Sequence, residues 1–103
     1  MKIDLSIIIP TRNRSKFLER AVHHAFDAAP KDLQFEVIVS NNASEDDTSL
    51  VLEALNLQFS SLRIIHHTNL LPLSEHWDTV VRKHARGEFV LLILDDDIIT
   101  DSN

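Results

Sequence analysis

The 103-residue sequence predicts an α/β domain with a parallel sheet built from alternating β-α units, on three observations. Four apolar runs of strand length, residues 5–9, 35–39, 62–65 and 89–94, are continuous rather than alternating, the pattern of strands covered on both faces. Three segments of helical period lie between them, so each crossover is long enough to bring the next strand in parallel with a right-handed connection. The sequences at the carboxyl ends of the runs, "PTRNR", "SNNASEDD", "HHTN" and "DDDIIT", are all polar. Ligands of open parallel sheets gather beyond those ends, near a topological switch point.

Taken in order, the first run leads into a helix whose Leu18, Ala21, Val22, Ala25, Phe26 and Ala29 share one face, with Pro30 ending it. In the second helix Leu50, Ala54 and Leu57 recur after "SEDDT", and Ser44 or the acids Glu45, Asp46 and Asp47 are placed to cap it and to complement its dipole. The third carries a stripe of Leu73, Trp77, Val80, Val81 and His84. Gly87 stands just past its end, where a left-handed C-cap would sit. Trp77 is expected to pack on the sheet with its N–H partnered, and Arg82, Lys83 and Arg86 suit the negative end of the helix dipole. No internal repeat, low-complexity tract or linker divides the chain, so residues 1–103 read as one domain.

Composition excludes several classes. Hydrophobic content of 44% with 25% charged residues is that of a globular chain rather than a disordered one. Without cysteine there is neither a disulfide framework nor a thiolate metal site, and a cytoplasmic location is expected. A net charge of -6 is the wrong sign for a protein that tracks nucleic-acid phosphates. No apolar run approaches the roughly 20 residues of a membrane helix. A single glycine, Gly87, rules out the glycine-rich loops of dinucleotide and Walker-type sites.

The stretch "FVLLILDDDIIT" then poses the chemical question. Asp95, Asp96 and Asp97 follow six mostly apolar residues, and three adjacent carboxylates repel one another unless a cation compensates. A divalent, oxygen-preferring ion removes that conflict, and Mg²⁺ typically takes one or two protein carboxylates while sharing its shell with water and substrate phosphates. The competing reading is a solvated acidic turn. With no glycine-rich cradle, the residues favour a nucleotide diphosphate neutralised by carboxylate-bound Mg²⁺ or Mn²⁺ and nearby cations.

Three ordered segments, "LSIIIPTRNRSKFLERAV", "EVIVSNNASEDDT" and "ARGEFVLLILDDD", make the chain resemble the nucleotide-binding half of glycosyltransferase family 2, inverting enzymes of the GT-A fold. The resemblance implies a Rossmann-like sheet and a single nucleotide-sugar-binding domain forming the N-terminal part of a longer glycosyltransferase. It places Pro10, Thr11 and Arg12 against the nucleoside, with Arg14 as a secondary candidate. Asn41 and Asn42 stand where the family has two acidic residues, the second of which reads the nucleobase. Asp95, Asp96 and Asp97 match the DxD region: Asp95 and Asp96 toward ribose and diphosphate, Asp95 and Asp97 toward Mn²⁺ or Mg²⁺. Asn69 stands near the family's Asn-x-Gly turn, here Asn69-Leu70-Leu71.

An Asn amide both accepts and donates, so Asn42 suits uracil, thymine or cytosine and a UDP, CDP or dTDP donor better than guanine, which offers two donors on one edge. The implied reaction is metal-dependent sugar transfer with inversion to an acceptor hydroxyl on a glycan or lipid-linked acceptor, in cell-envelope polysaccharide biosynthesis, with the intact enzyme cytoplasmic or peripheral at the membrane. No catalytic base is identifiable, since in the family it comes from the acceptor half. A non-catalytic nucleotide- and metal-binding module is the alternative, and a receiver-type domain ranks last because "PTRNR" stands where receivers place acids. The pairs His23-His24 and His66-His67 read as surface or sheet-edge histidines, since neighbouring residues point about 100° apart on a helix and to opposite faces on a strand. His76 and His84 read as belonging to the boundary of the third helix. An uncovered edge at the fourth strand would favour a homodimer.

Overall fold

The computed structural model describes residues 2–13 and 15–92, apart from the side chains of Leu73, Ser74 and Trp77. The expectation for the Trp77 indole therefore lies outside the described residues, as do Arg14 and the Asp95, Asp96 and Asp97 triplet. The elements run β1 (Ile3–Thr11), α1 (Ser15–Ala28), β2 (Phe35–Asn42), α2 (Thr48–Gln58), β3 (Arg63–His67), α3 (Leu73–Lys83) and β4 (Gly87–Leu92). The four strands form one parallel sheet in the order β3-β2-β1-β4. The α/β architecture predicted from the sequence is thus the one observed.

Strand parity divides the side chains between two faces. Ile7, Ile9, Val37 and Val39 point to the face covered by α1 and α2, where they pack with Leu18, Ala21, Val22, Ala25, Leu52 and Leu55. Ile8 and Ile38 point to the other face, where, among the described residues, Val80 of α3 is the buried apolar residue that meets them. The crossover from β3 to β4 passes beneath β2 and β1, so chain direction across the sheet reverses at β1. β1 and β2 are buried along most of their length, as continuous apolar strands should be. β3 and β4 are edge strands, and β4 departs from the expectation of two covered faces. Phe89 (69% exposed) and Leu91 (48%) point to the α1/α2 face beyond the reach of either helix.

Two further expectations are corrected. The Leu50, Ala54 and Leu57 stripe of α2 faces outward, with Leu57 89% exposed, whereas Thr48, Leu52 and Leu55 face the core. This helix is apolar on both sides, so its period alone could not choose the inner one. Gly87 is not a left-handed cap; no glycine here has positive φ. It is instead the first residue of β4, where a Cβ would lie 2.5 Å from the Ser6 amide nitrogen and 2.7 Å from the Ser6 hydroxyl. Close approach of β4 to β1 is what requires glycine. No helix among the described residues is long and apolar enough to cross a membrane.

Candidate functional site at the carboxyl ends of the strands

α3 is fastened to the sheet by polar groups at both of its ends, with the small apolar patch between. At the lower end Glu36 is buried and accepts hydrogen bonds from the Ser6 hydroxyl at 2.5 Å, the Arg63 guanidinium at 2.5 Å and the Arg86 amide at 2.7 Å. Arg63 also donates to the His84 carbonyl at 2.8 Å, and the Gly87 amide donates to Ser6 Oγ at 2.7 Å. Burial alone would raise the Glu36 pKa; the donations from Ser6, the Arg86 amide and Arg63, together with the Arg63 charge, outweigh it and hold the carboxyl below its ordinary value.

At the upper end Ser40 Oγ lies 2.9 Å from His67 Nε2 and 2.6 Å from His76 Nε2. A hydroxyl has one proton to give, so of two neutral rings one must accept from Ser40 and the other donate to it. His76 is 2% exposed, which corrects its placement at the helix boundary. Burial, with the neighbouring His67, lowers its pKa to about 4, so the ring is neutral at physiological pH. Burial likewise lowers that of His67, helped by His84 and His66. His66 is exposed on the edge strand, in keeping with the sheet-edge reading, while His23 packs edge-on against Phe59 at 5.0 Å.

Above this anchor the strand ends surround a cleft of about 970 Å³, walled by Arg12 after β1, Asn41 and Ser44 at the end of β2, and Thr68, Asn69 and Leu70 after β3. Two residues with positive φ shape its rim, Asn13 and Ala43, both at 53°. Asn tolerates that region, whereas for Ala it costs about 1–2 kcal/mol. Asn13 ties two turns together: its Oδ1 accepts from the Glu45 amide at 2.7 Å and the Asp46 amide at 3.3 Å, and its own amide donates to Ser44 Oγ at 3.0 Å. The N-cap position of α2 is Asp47, whose side chain makes no capping bond; the carboxylate before it, Asp46, accepts from the Thr48 amide at 2.9 Å and from the Thr48 hydroxyl in a turn that leads into the helix. Those donations from Thr48, the hydroxyl foremost, hold the Asp46 pKa below its ordinary value. Ser44 is occupied with Asn13.

The residues singled out in the sequence are brought together as follows. Pro10 and Thr11 are buried at the end of β1, opposite Ser40 and Asn41. Arg12 is half-buried, and its Nε is buried with no hydrogen-bond partner among the described residues. Asn41 accepts from the Ser44 amide at 3.2 Å and donates toward Ser49 Oγ at 3.4 Å and His66 Nδ1 at 3.3 Å. Asn42 turns to the α3 side, where its Nδ2 donates to the Leu71 carbonyl and its Oδ1 accepts from the Leu71 amide, both at 2.9 Å. Asn69 lies exposed in the cleft wall. Among the described residues no group of three His, Asp or Glu is arranged to hold a metal ion.

Sequence reasoning missed the Ser40 anchor, Asn13 and the Glu36 cluster. A signal existed for two of them. Glu36, Ile38, Ser40 and Asn42 share one face of β2, so polar residues bracket a single apolar one on the side that α3 covers.

The model of the family described as glycosyl transferase family 2 matches residues 6–103. An uncharacterized glycosyltransferase of Mycoplasma genitalium, MG060, is 31% identical over 101 residues, which are 93% of this chain and 33% of the relative. The GalNAc(5)-diNAcBac-PP-undecaprenol beta-1,3-glucosyltransferase of Campylobacter jejuni is 34% identical over 93 residues, 90% of this chain and 29% of the relative. The chain therefore spans about a third of the length of these relatives. Among solved structures, the mannosyltransferase PcManGT from Pyrobaculum calidifontis, in complex with GDP-Man and Mn²⁺, superposes with a TM-score of 0.81 at 24% identity, over 93% of this chain and 28% of that one. TarS 1-349 of S. aureus with UDP-GlcNAc gives 0.74 at 24% identity, over 97% and 30%. The sheet order, the polar strand ends and these matches agree: the chain belongs to glycosyl transferase family 2, with the GT-A fold.

Proposed function

We propose that this chain is the donor-binding portion of a glycosyltransferase that moves a sugar from a nucleotide-diphospho-sugar to an acceptor hydroxyl with inversion. The observation that carries the reading is the cleft at the carboxyl ends of β1, β2 and β3, with Arg12 in its wall, whose buried Nε has no partner among the described residues. A buried guanidinium nitrogen without a partner is costly, and an anionic or carbonyl-bearing ligand in the cleft relieves that cost. In this reading Pro10, Thr11, Arg12 and Arg14 lie along the nucleoside, Asn41 and Asn42 address the base, and Asp95 and Asp96 take the ribose and diphosphate. A divalent ion would rest on Asp95 and Asp97, the positions that match the family's DxD region; when bound it neutralises charge on the leaving diphosphate.

The donor is a pyrimidine nucleotide on this proposal. Solved neighbours were captured with GDP-Man and with UDP-GlcNAc, so the family resemblance does not choose, and the choice rests on Asn42. Guanine presents N1–H and N2–H as adjacent donors, for which one amide offers a single acceptor. Calorimetric titration of UDP, CDP, dTDP and GDP, with Mn²⁺ and then with EDTA, tests the reading. Metal-dependent binding of a pyrimidine nucleotide is expected, weakened about tenfold or more in Arg12→Ala by loss of one charge-assisted hydrogen bond. Tighter binding of GDP would remove the pyrimidine assignment, and the absence of any binding would remove the donor site.

A further inference from the structure

The last three residues of β2 bond β3 and the segment that links it to α3. Ser40 bonds His67 and His76 at the two ends of that segment, Asn41 reaches His66, and Asn42 grips Leu71 in the middle. The grip is a two-bond pairing of a side-chain amide with a peptide edge. Leu71 offers one N–H and one C=O side by side, the same donor and acceptor pattern that the N3–H and adjacent carbonyl of uracil present. Asn42 is 5% exposed, and both polar atoms of its side chain are already used in this pairing.

Resting on the donor-site reading, we propose that residues 68–72 form a latch in which the Leu71 backbone occupies the base-reading edge of Asn42 until a pyrimidine displaces it. The geometry supports a hinged movement. Ser40 pins His67 and His76, so the turn between them can lift while its ends stay on the sheet. Thr68, Asn69 and Leu70 wall the cleft, Leu70 being 58% exposed, so little apolar surface opposes the movement. Exchange of one amide edge for another keeps both Asn42 atoms bonded, which makes the swap nearly balanced. Aspartate at this position would accept from the Leu71 amide but oppose its carbonyl, so the closed latch is built for asparagine.

Amide hydrogen exchange on the full 103-residue chain, free and saturated with UDP, reads the latch directly. The Leu71 amide is expected to exchange slowly in the free protein and at least tenfold faster with UDP bound, opposite in sign to the protection that ligands ordinarily confer. Free Asn42→Ala should show the same fast exchange at Leu71, with the β1 and β2 amides still protected as proof of folding. UDP binding without faster exchange at Leu71 would overturn the latch and leave the donor site standing. Unchanged Leu71 protection in a folded Asn42→Ala would overturn it too. Failure of UDP to bind, measured by calorimetry on the same sample, would overturn both.

Discussion

Glu36 and His76 are two buried side chains whose ionisation state bears on the fold, and both act in the same direction with pH. The folded-state pKa of His76 lies near 4, below the ordinary 6.5, so the unfolded chain binds more protons between those values. The stability contributed by the neutral ring is complete above pH 6.5 and is lost as pH falls toward 4. The Glu36 pKa is also lowered, from 4.5, so its contribution is present above that value and is lost on further acidification. Denaturant midpoints measured from pH 8 to pH 3 should therefore fall in two stages, and His76→Gln should shrink the first stage, to which His67 also contributes, while leaving the second. Replacing Glu36 by Ala at neutral pH strands Arg63, the Ser6 hydroxyl and the Arg86 amide. A loss of about 2 kcal/mol is expected from urea unfolding, because three donors lose a buried charged acceptor, although Arg63 is only part-buried and keeps its bond to the His84 carbonyl. A midpoint unchanged in Glu36→Ala would mean that the β1–β2–β3 cross-tie carries no energy.

At the scale of the element, α2 shows how a helix can be found in a sequence and still be turned the wrong way. Its start is fixed by Asp46, which bonds the Thr48 amide and hydroxyl, and its period is clear, but Leu50, Ala54 and Leu57 are as apolar as the buried Leu52 and Leu55. Thermal unfolding of Asp46→Ala should show a loss of about 1 kcal/mol, the usual net worth of a hydrogen bond, here those from Thr48, whereas Ser44→Ala should act through Asn13 and the cleft rim instead. Equal effects of the two would contradict this division. The strands and helices were legible because continuous apolar runs and helical periods are local signals. What joins them was less so. The role of Gly87 depends on how near β4 comes to β1, and the Ser40 anchor on residues 27 and 36 positions away. The candidate cleft residues on the turns after β1 and β2 could be named because strand ends are where a parallel sheet exposes its polar groups. That Asn42 faces Leu71 could not be named, because it depends on the course of a turn whose Leu-Leu-Pro sequence has no fixed geometry.

At the scale of the molecule, the sheet is covered unevenly, and the imbalance lies at β4. The order β3-β2-β1-β4 puts this strand at an edge, with Phe89, Val90 and Leu91 at 69, 40 and 48% exposed. Phe89 and Leu91 extend the surface that α1 and α2 cover over β1 and β2, while Val90 lies on the α3 side. An edge strand with free backbone groups and apolar residues on both faces is a template for further pairing, and nothing among the described residues blunts it with proline or an inward-pointing charge. The 103-residue chain should accordingly self-associate through β4. Sedimentation velocity over a hundredfold range of concentration is expected to show the mean mass rising with concentration, and Phe89→Lys with Leu91→Lys should return it to the monomer. Because both side chains are already in solvent, the double substitution should leave thermal unfolding of the monomer nearly unchanged, which separates loss of association from loss of folding. A monomer at every concentration in the unsubstituted chain would mean that β4 is shielded by something other than a second copy, and the cleft could then be studied without interference from assembly.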